Sequence, residues 1–363
     1  MKKMYLLVAG LAAFNLNAQL FSDNFDAYSA GQYLGPQSLT WSTWSGTEGG
    51  NEDVQITSAN SSSAPNSIYL SSTAANGGPQ DVVLKFGQLY NSGIFTLQKK
   101  IFINSGKTGY YNIQGALTIG NLWALNVNFD AGQLVIDDGN TPNLVLASYP
   151  EATWFELKIE ANLTLHVWKA FINGNLVGTW VNGVNTVASA DFFPVQNTQM
   201  YIDDVVQNTQ MYIDDVMFDH VPFTVPALDA MVADIDMGAE LATQSGTPTV
   251  KVVNGGSTAI TSLKVDLTYN GSTSTQNVTG VNIATAGVYN VTLPSTVLAA
   301  GSLPITAVVY NVNGGAGDDN SNNDTLIEMI NPIVPAPGKM VVGEEATGTW
   351  CQWCPRGAVF MDL

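Results

Sequence analysis

The sequence is poor in cysteine, histidine and positive charge. Its 363 residues include 2 cysteines, 2 histidines, and 12 basic side chains against 30 acidic ones. So few cysteines exclude a disulfide-stapled scaffold, and His166 and His220 stand too far apart to make a zinc motif with them. A net charge of −18 would be repelled by a phosphate backbone, which excludes nucleic acid as a partner. Past the N-terminal segment no apolar run reaches the roughly 18 residues a membrane-crossing helix needs. A Ser-His-Asp order and a phosphate-binding glycine loop are also missing.

Polarity comes instead from uncharged residues. Charged side chains make up 12% of the chain, and Asn, Ser, Thr and 34 glycines fill the gaps between short apolar runs. These residues populate turns between strands, so the composition is that of a β-rich extracellular protein. The start agrees. "MKKMYLLVAGLAAFNLNAQ" has two lysines, an apolar run and a small residue at Ala18, the order of a secretory signal peptide over residues 1–18. The expected location is therefore secreted, on the cell surface or at an outer membrane.

Residues 19–222 read as one all-β unit. "GIFTLQKKIFI", "LWALNVNFD", "GQLVIDD" and "TWFELKIEANLTLHVWKAFING" alternate apolar with polar residues or are rich in β-branched and aromatic ones. "INGNLVG" carries an Asn-Gly pair, a strong hairpin signal. The pattern predicts a two-sheet sandwich of jelly-roll type. "LFSDNFDAYSAGQYL", "WFELKIE…KAFINGNLVG" and "MYIDDVMFD" resemble the concanavalin-like, laminin-G-like sandwiches of secreted bacterial surface proteins. That resemblance implies a glycan or protein ligand, or a spacer role.

"VQNTQMYIDDV" occupies residues 195–205 and recurs at 206–216. Eleven is odd, so one strand running through both copies would reverse its inward and outward faces. The second copy runs directly into "MFDHVP" and is the expected strand.

Residues 227–331 hold further short strands joined by Asn-Gly and Gly-Gly turns, which fits an immunoglobulin-like sandwich. The unit resembles the CARDB-like modules of secreted bacterial proteins. "GDDNSNND", with Asp318, Asp319 and Asp324, lacks the spacing of an EF-hand and reads as an acidic turn. Residues 332–338 carry Pro332, Pro335 and Pro337 and read as a stiff linker. Residues 339–363 then open a third unit.

That last segment contains "WCQWCPRG". The reading is a strand, a loop with Cys351, and a helix start at which Cys354 resolves a mixed disulfide and Arg356, the only arginine, favours thiolate. "EEATGTWCQWCPRG" resembles the redox-motif region of a thioredoxin-like, outer-membrane-associated family of bacteria with type IX secretion. Gln352 and Trp353 between the cysteines depart from ordinary thioredoxin. Twenty-five residues fall well short of the ~50 an autonomous domain needs, so the segment is expected to be the truncated start of that fold and inactive alone.

Three further sets are candidate sites. Asp23 and Asp26 near the first strand, with Asp214 and Asp215 in the last, offer oxygen ligands for one structural Ca²⁺; no other cofactor is implied. Trp41 and Trp44, in the polar stretch "LTWSTWSGTEGGNED", are the tryptophans least marked as core and the candidates for sugar stacking. Glu156 and Glu160 share one strand face and read as solvated rather than as a glycosidase pair. The expected function is a multidomain binding or adhesion protein; the alternative is a thiol-disulfide oxidoreductase with the β units as its stalk.

Overall fold

The computed structural model describes residues 20–74, 77–194, 209–315 and 317–334. Among them the chain is mainly β, with no α-helix and no helix long and apolar enough to cross a membrane.

The first unit begins with β1 (Phe21–Asp23), β2 (Trp41–Thr43), β3 (Ile56–Thr57), β4 (Ser67–Ser72) and β5 (Val82–Tyr90). It continues through β6 (Ile94–Ile103), β7 (Thr108–Gln114), β8 (Trp123–Asp130), β9 (Gln133–Asp137) and β10 (Val145–Ser148). The remaining strands are β11 (Phe155–Asn162), β12 (Val167–Ile172), β13 (Asn175–Val181), β14 (Val187–Phe192) and β15 (Thr209–Val221). They form two layers. A front layer runs β2-β5-β14-β7-β8-β9-β10, and a back layer runs β15-β6-β11-β12-β13 with β1 and β4 on the outer side of β15. One parallel pairing, Thr209 to Thr108, joins the layers.

Period-two alternation builds the core between them. β6 turns Phe95, Leu97, Lys99, Ile101 and Ile103 inward, while β8 and β9 supply Leu125, Val127, Phe129, Leu134 and Ile136. In β15 the parity breaks at a bulge between Asp214 and Met217, so Met211 and Ile213 on one side and Val216 and Phe218 on the other all face inward. β15 starts within the second copy of the repeated segment; the first copy, 195–205, lies outside the described residues. Asn173 and Gly174, both at positive φ (50° and 78°), make the two-residue turn between β12 and β13.

The front and back layers also approach at their far edges, where a Cβ on Gly178 of β13 would lie 2.4 Å from Val145 Cγ2 of β10. Gly178→Val is expected to cost about 1–3 kcal/mol by forcing the two edges apart, read as a lower urea midpoint.

The second unit comprises β16 (Ala230–Asp236), β17 (Ser245–Gly246), β18 (Thr249–Asn254), β19 (Ile260–Tyr269) and β20 (Ser272–Ile283). It ends with β21 (Val288–Thr292), β22 (Thr296–Val297), β23 (Leu303–Tyr310) and β24 (Thr325–Ile330). Sheets β16-β18-β21 and β20-β19-β23-β24 pack face to face over Val232, Val250, Val252, Leu263, Val265, Leu267, Ile305 and Val309. Ile333, within the stretch read as linker, pairs with Leu241 of this unit. Met231 and Ala233 of β16, with Val253, pack against Leu165 and Val167 of the first unit, giving the two units a small shared apolar contact. The cysteine segment 339–363 lies outside the described residues.

Candidate functional site

The outward face of the front layer is polar where the same strands' inward face is apolar. On β7, Tyr111 and Ile113 point to the core, which turns Tyr110, Asn112 and Gln114 outward. Register then extends the row across four strands: Asp191 of β14 stands opposite Asn112, Asn112 opposite Asn126 of β8, and Asn126 opposite Asp137 of β9.

Hydrogen bonds fix these side chains. Asn112 Nδ2 donates to Asp191 Oδ2 at 2.7 Å, and Gln114 Nε2 donates to Asn112 Oδ1 at 2.6 Å. Gln114 Oε1 in turn accepts the Gly120 N–H at 2.9 Å, tying the 115–122 loop to the row. Asn126 Nδ2 donates to Asp137 Oδ1 at 2.7 Å, and the Tyr110 hydroxyl donates to Asn126 Oδ1 at 2.8 Å. Each amide is oriented from both ends.

Asp81, at the entrance to β5, sits beside Asp191. Burial comes first in raising both carboxyls. Hydrogen bonding to Asp191 and the charge of Asp191 then push Asp81 up to about 9, with Glu52 adding repulsion. Asp81 Oδ1, Asp191 Oδ1 and Ser189 Oγ, all buried, have no other hydrogen-bond partner among the described residues. Such groups call for the shared proton, water or a polar ligand. Two carboxyls holding one proton both donate and accept, which suits them to hydroxyl groups.

An aromatic pair stands at one end of this face. Trp44 and Trp123 stack with centroids 6.4 Å apart and planes 29° from parallel, and Trp123 is 39% exposed. Gly120 makes room for the pair: a Cβ there would lie 2.9 Å from Trp44 Cζ2. Leu117 and Leu122 are exposed on the same loop. An open indole edge beside oriented amides and carboxyls matches the needs of a sugar ring, apolar on its faces and hydroxylated at its rim.

The sequence-derived candidates fall into different places. Trp44 joins the aromatic pair. Trp41 corrects the expectation of sugar contact: it is 1% exposed, packs on Phe25 and Phe192, and donates from Nε1 to Asp23 Oδ2 at 3.0 Å. Its polar surroundings supply that bond rather than solvent. Asp23 also accepts from the Tyr28 hydroxyl and the Phe25 N–H, and Asp26 from Asn24 and the Asn66 N–H. Buried Asp214 accepts the Ser62, Ser63 and Asp215 N–H groups, and Asp215 accepts from the Ser63 hydroxyl. These four carboxylates tie down loops, and they do not converge on one point among the described residues. Glu156 lies 3.4 Å from Lys100 Nζ and Glu160 3.7 Å from Lys158 Nζ, on the outer face of the back layer. Cys351, Cys354 and Arg356 lie outside the described residues.

Two clefts lie elsewhere. One of about 530 Å³ runs past Tyr33, Asp53, Tyr69 and Gln80, but Asp53 and Gln80 are spent on backbone N–H and C=O groups. The other, about 690 Å³, lies between the two units and is edged by exposed Leu146, Leu176, Ile327 and Met329.

No family model and no curated protein matches the chain. Among solved structures it is similar to the cellulose-induced protein Cip1, at 13% identity over 56% of this chain and 98% of that one, with a TM-score of 0.37. A family 7 alginate lyase solved with substrate is similar at 13% identity over 51% of this chain and 94% of that one, with a TM-score of 0.37. The CARDB domain of a Pyrococcus furiosus protein, in complex with di-metal ions, is similar at 19% identity over 32% of this chain and 95% of that one, with a TM-score of 0.26.

Proposed function

We propose that this is a secreted or cell-surface binding protein whose first sandwich recognises a glycan on the outer face of its front layer. The observation that carries the reading is the conjunction on that face of an open Trp44–Trp123 pair with a row of oriented amides and carboxyls, next to which Asp81 Oδ1, Asp191 Oδ1 and Ser189 Oγ have no hydrogen-bond partner among the described residues. Trp123 stacks on the sugar ring. Asn126, Asp137 and Tyr110, half-buried, receive its hydroxyls, and the buried Asn112, Gln114 and Asp191 beside them hold the geometry. The second unit carries and spaces the first.

A glycan array, probed with the whole chain, tests this. Wild type is expected to bind a restricted set of polysaccharides, and Trp123→Ala is expected to weaken that binding 10- to 100-fold while leaving the melting temperature nearly unchanged. A blank array, or a variant that binds as well as wild type, counts against it.

The second reading is a thiol-disulfide oxidoreductase carried by these two units, and it is supported by "WCQWCPRG". Insulin reduction by the whole chain that disappears in Cys351→Ser would favour it.

A further inference from the structure

We propose that Asp229, Asp318 and Asp324 form a calcium site in the second unit, separate from the glycan-binding face. One carboxylate oxygen of each lies within 4.8 Å of the others, although Asp229 precedes β16 and the other two flank the turn before β24. Asp229 is 1% exposed, and among the described residues its Oδ1 has no hydrogen-bond partner; Asp324 Oδ1 and Asn323 Oδ1 are unpartnered in the same way.

Two of the three carboxylates are held in place by the surrounding chain. Asp318 accepts the Ala230 N–H at 2.7 Å and the Asn320 N–H at 3.1 Å, and Asn323 Nδ2 donates to Asp229 Oδ2 at 3.2 Å. Next to this turn, Asp319 Oδ2 accepts the Leu228 N–H at 2.9 Å. The site is closed behind by glycine: a Cβ at Gly255 would fall 2.2 Å from Asp229 Oδ2. None of the ion pairs among the described residues involves these acids.

Three carboxylates make an all-oxygen set, which selects a hard cation. With water completing six to eight ligands, the loose geometry suits Ca²⁺ better than Mg²⁺, which demands a near-ideal octahedron. Without a cation the carboxylates repel one another in a half-buried place. A bound Ca²⁺ removes that repulsion. It also ties the turn before β24 to the start of β16, the strand that carries Met231 and Ala233 into the contact with the first unit.

The test is calorimetric titration of the whole, chelator-treated chain with CaCl₂ at pH 7.5, alongside melting curves. Wild type is expected to show one saturable site and a melting temperature several degrees higher in calcium. Asp324→Asn and Asp229→Asn should each weaken binding at least tenfold, whereas Asp319→Asn and Asp26→Asn should leave it within about twofold. Equal MgCl₂ should bind at least tenfold more weakly. Asp324 is on the turn, so its variant remains informative where Asp229→Asn misfolds. The proposal is overturned by the absence of saturable calcium binding, by Asp324→Asn binding like wild type, or by loss of the site in Asp26→Asn alone. Failure here leaves the glycan reading untouched, because no residue is shared.

Discussion

Lys99→Met is expected to stabilise the protein by up to about 4 kcal/mol at pH 7, an unusual gain for a single substitution. Lys99 lies on the inward face of β6 and is fully buried. Among the described residues its Nζ has no hydrogen-bond partner, and it sits 3.3 Å from the Tyr111 ring centroid and 5.8 Å from that of Phe192. Burial lowers its pKa well below the ordinary lysine value, so folding favours loss of a proton that the unfolded chain keeps.

The sign follows from linkage. Between the lowered native pKa and about 10.4 the unfolded state binds more protons, and wild-type stability gains up to about 1.4 kcal/mol per pH unit from this residue. Methionine has a similar length and no proton to lose. Urea unfolding at pH 7, 8.5 and 10 should therefore show the advantage of Lys99→Met shrinking as pH rises. A gain independent of pH would mean that the ammonium stays charged over the Tyr111 ring.

The second large effect runs the opposite way. Asp81 is raised to about 9, so the native state holds a proton there that the unfolded state releases near pH 4. The stability it contributes is complete below pH 4 and is lost as pH rises through about 9. Asn at this position keeps a donor for Asp191 without the titration. Asp81→Asn is expected to match wild type at pH 4 and to exceed it by about 2–4 kcal/mol at pH 8, an amount reduced for partial exposure. Lys99 and Asp81 thus oppose each other in wild type, and only the single variants reveal each slope. Parallel curves for wild type and Asp81→Asn would refute a shared proton.

Much of the fold could be read from local pattern. Alternation in "GIFTLQKKIFI" and "WFELKIEAN" gave β6 and β11, and Asn173–Gly174 gave a turn. Lys99 was visible too, since Phe95, Leu97, Ile101 and Ile103 share its parity; only the expectation that lysine stays outside hid it. Trp123 was hidden by geometry. It has the parity of Leu125, Val127 and Phe129, but a register shift between Ile113 and Gln114 on the partner strand sends it to solvent.

The polar row required knowing that β14 lies between β5 and β7, a non-local order that no short stretch encodes. Asp229 is likewise joined to Asp318 and Asp324 only by the folded second sandwich. Polar context misled at Trp41, where Asp23 satisfies the indole inside the core.

Hydrogen–deuterium exchange on the whole chain, with and without an oligosaccharide that it binds, measures the glycan face most directly. The expected result is new protection confined to the segments around Trp44, residues 110–126, and Ser189–Asp191. Protection on β6, β11 and β12 instead, or no change in the presence of saturating sugar, would place recognition elsewhere and contradict the assignment.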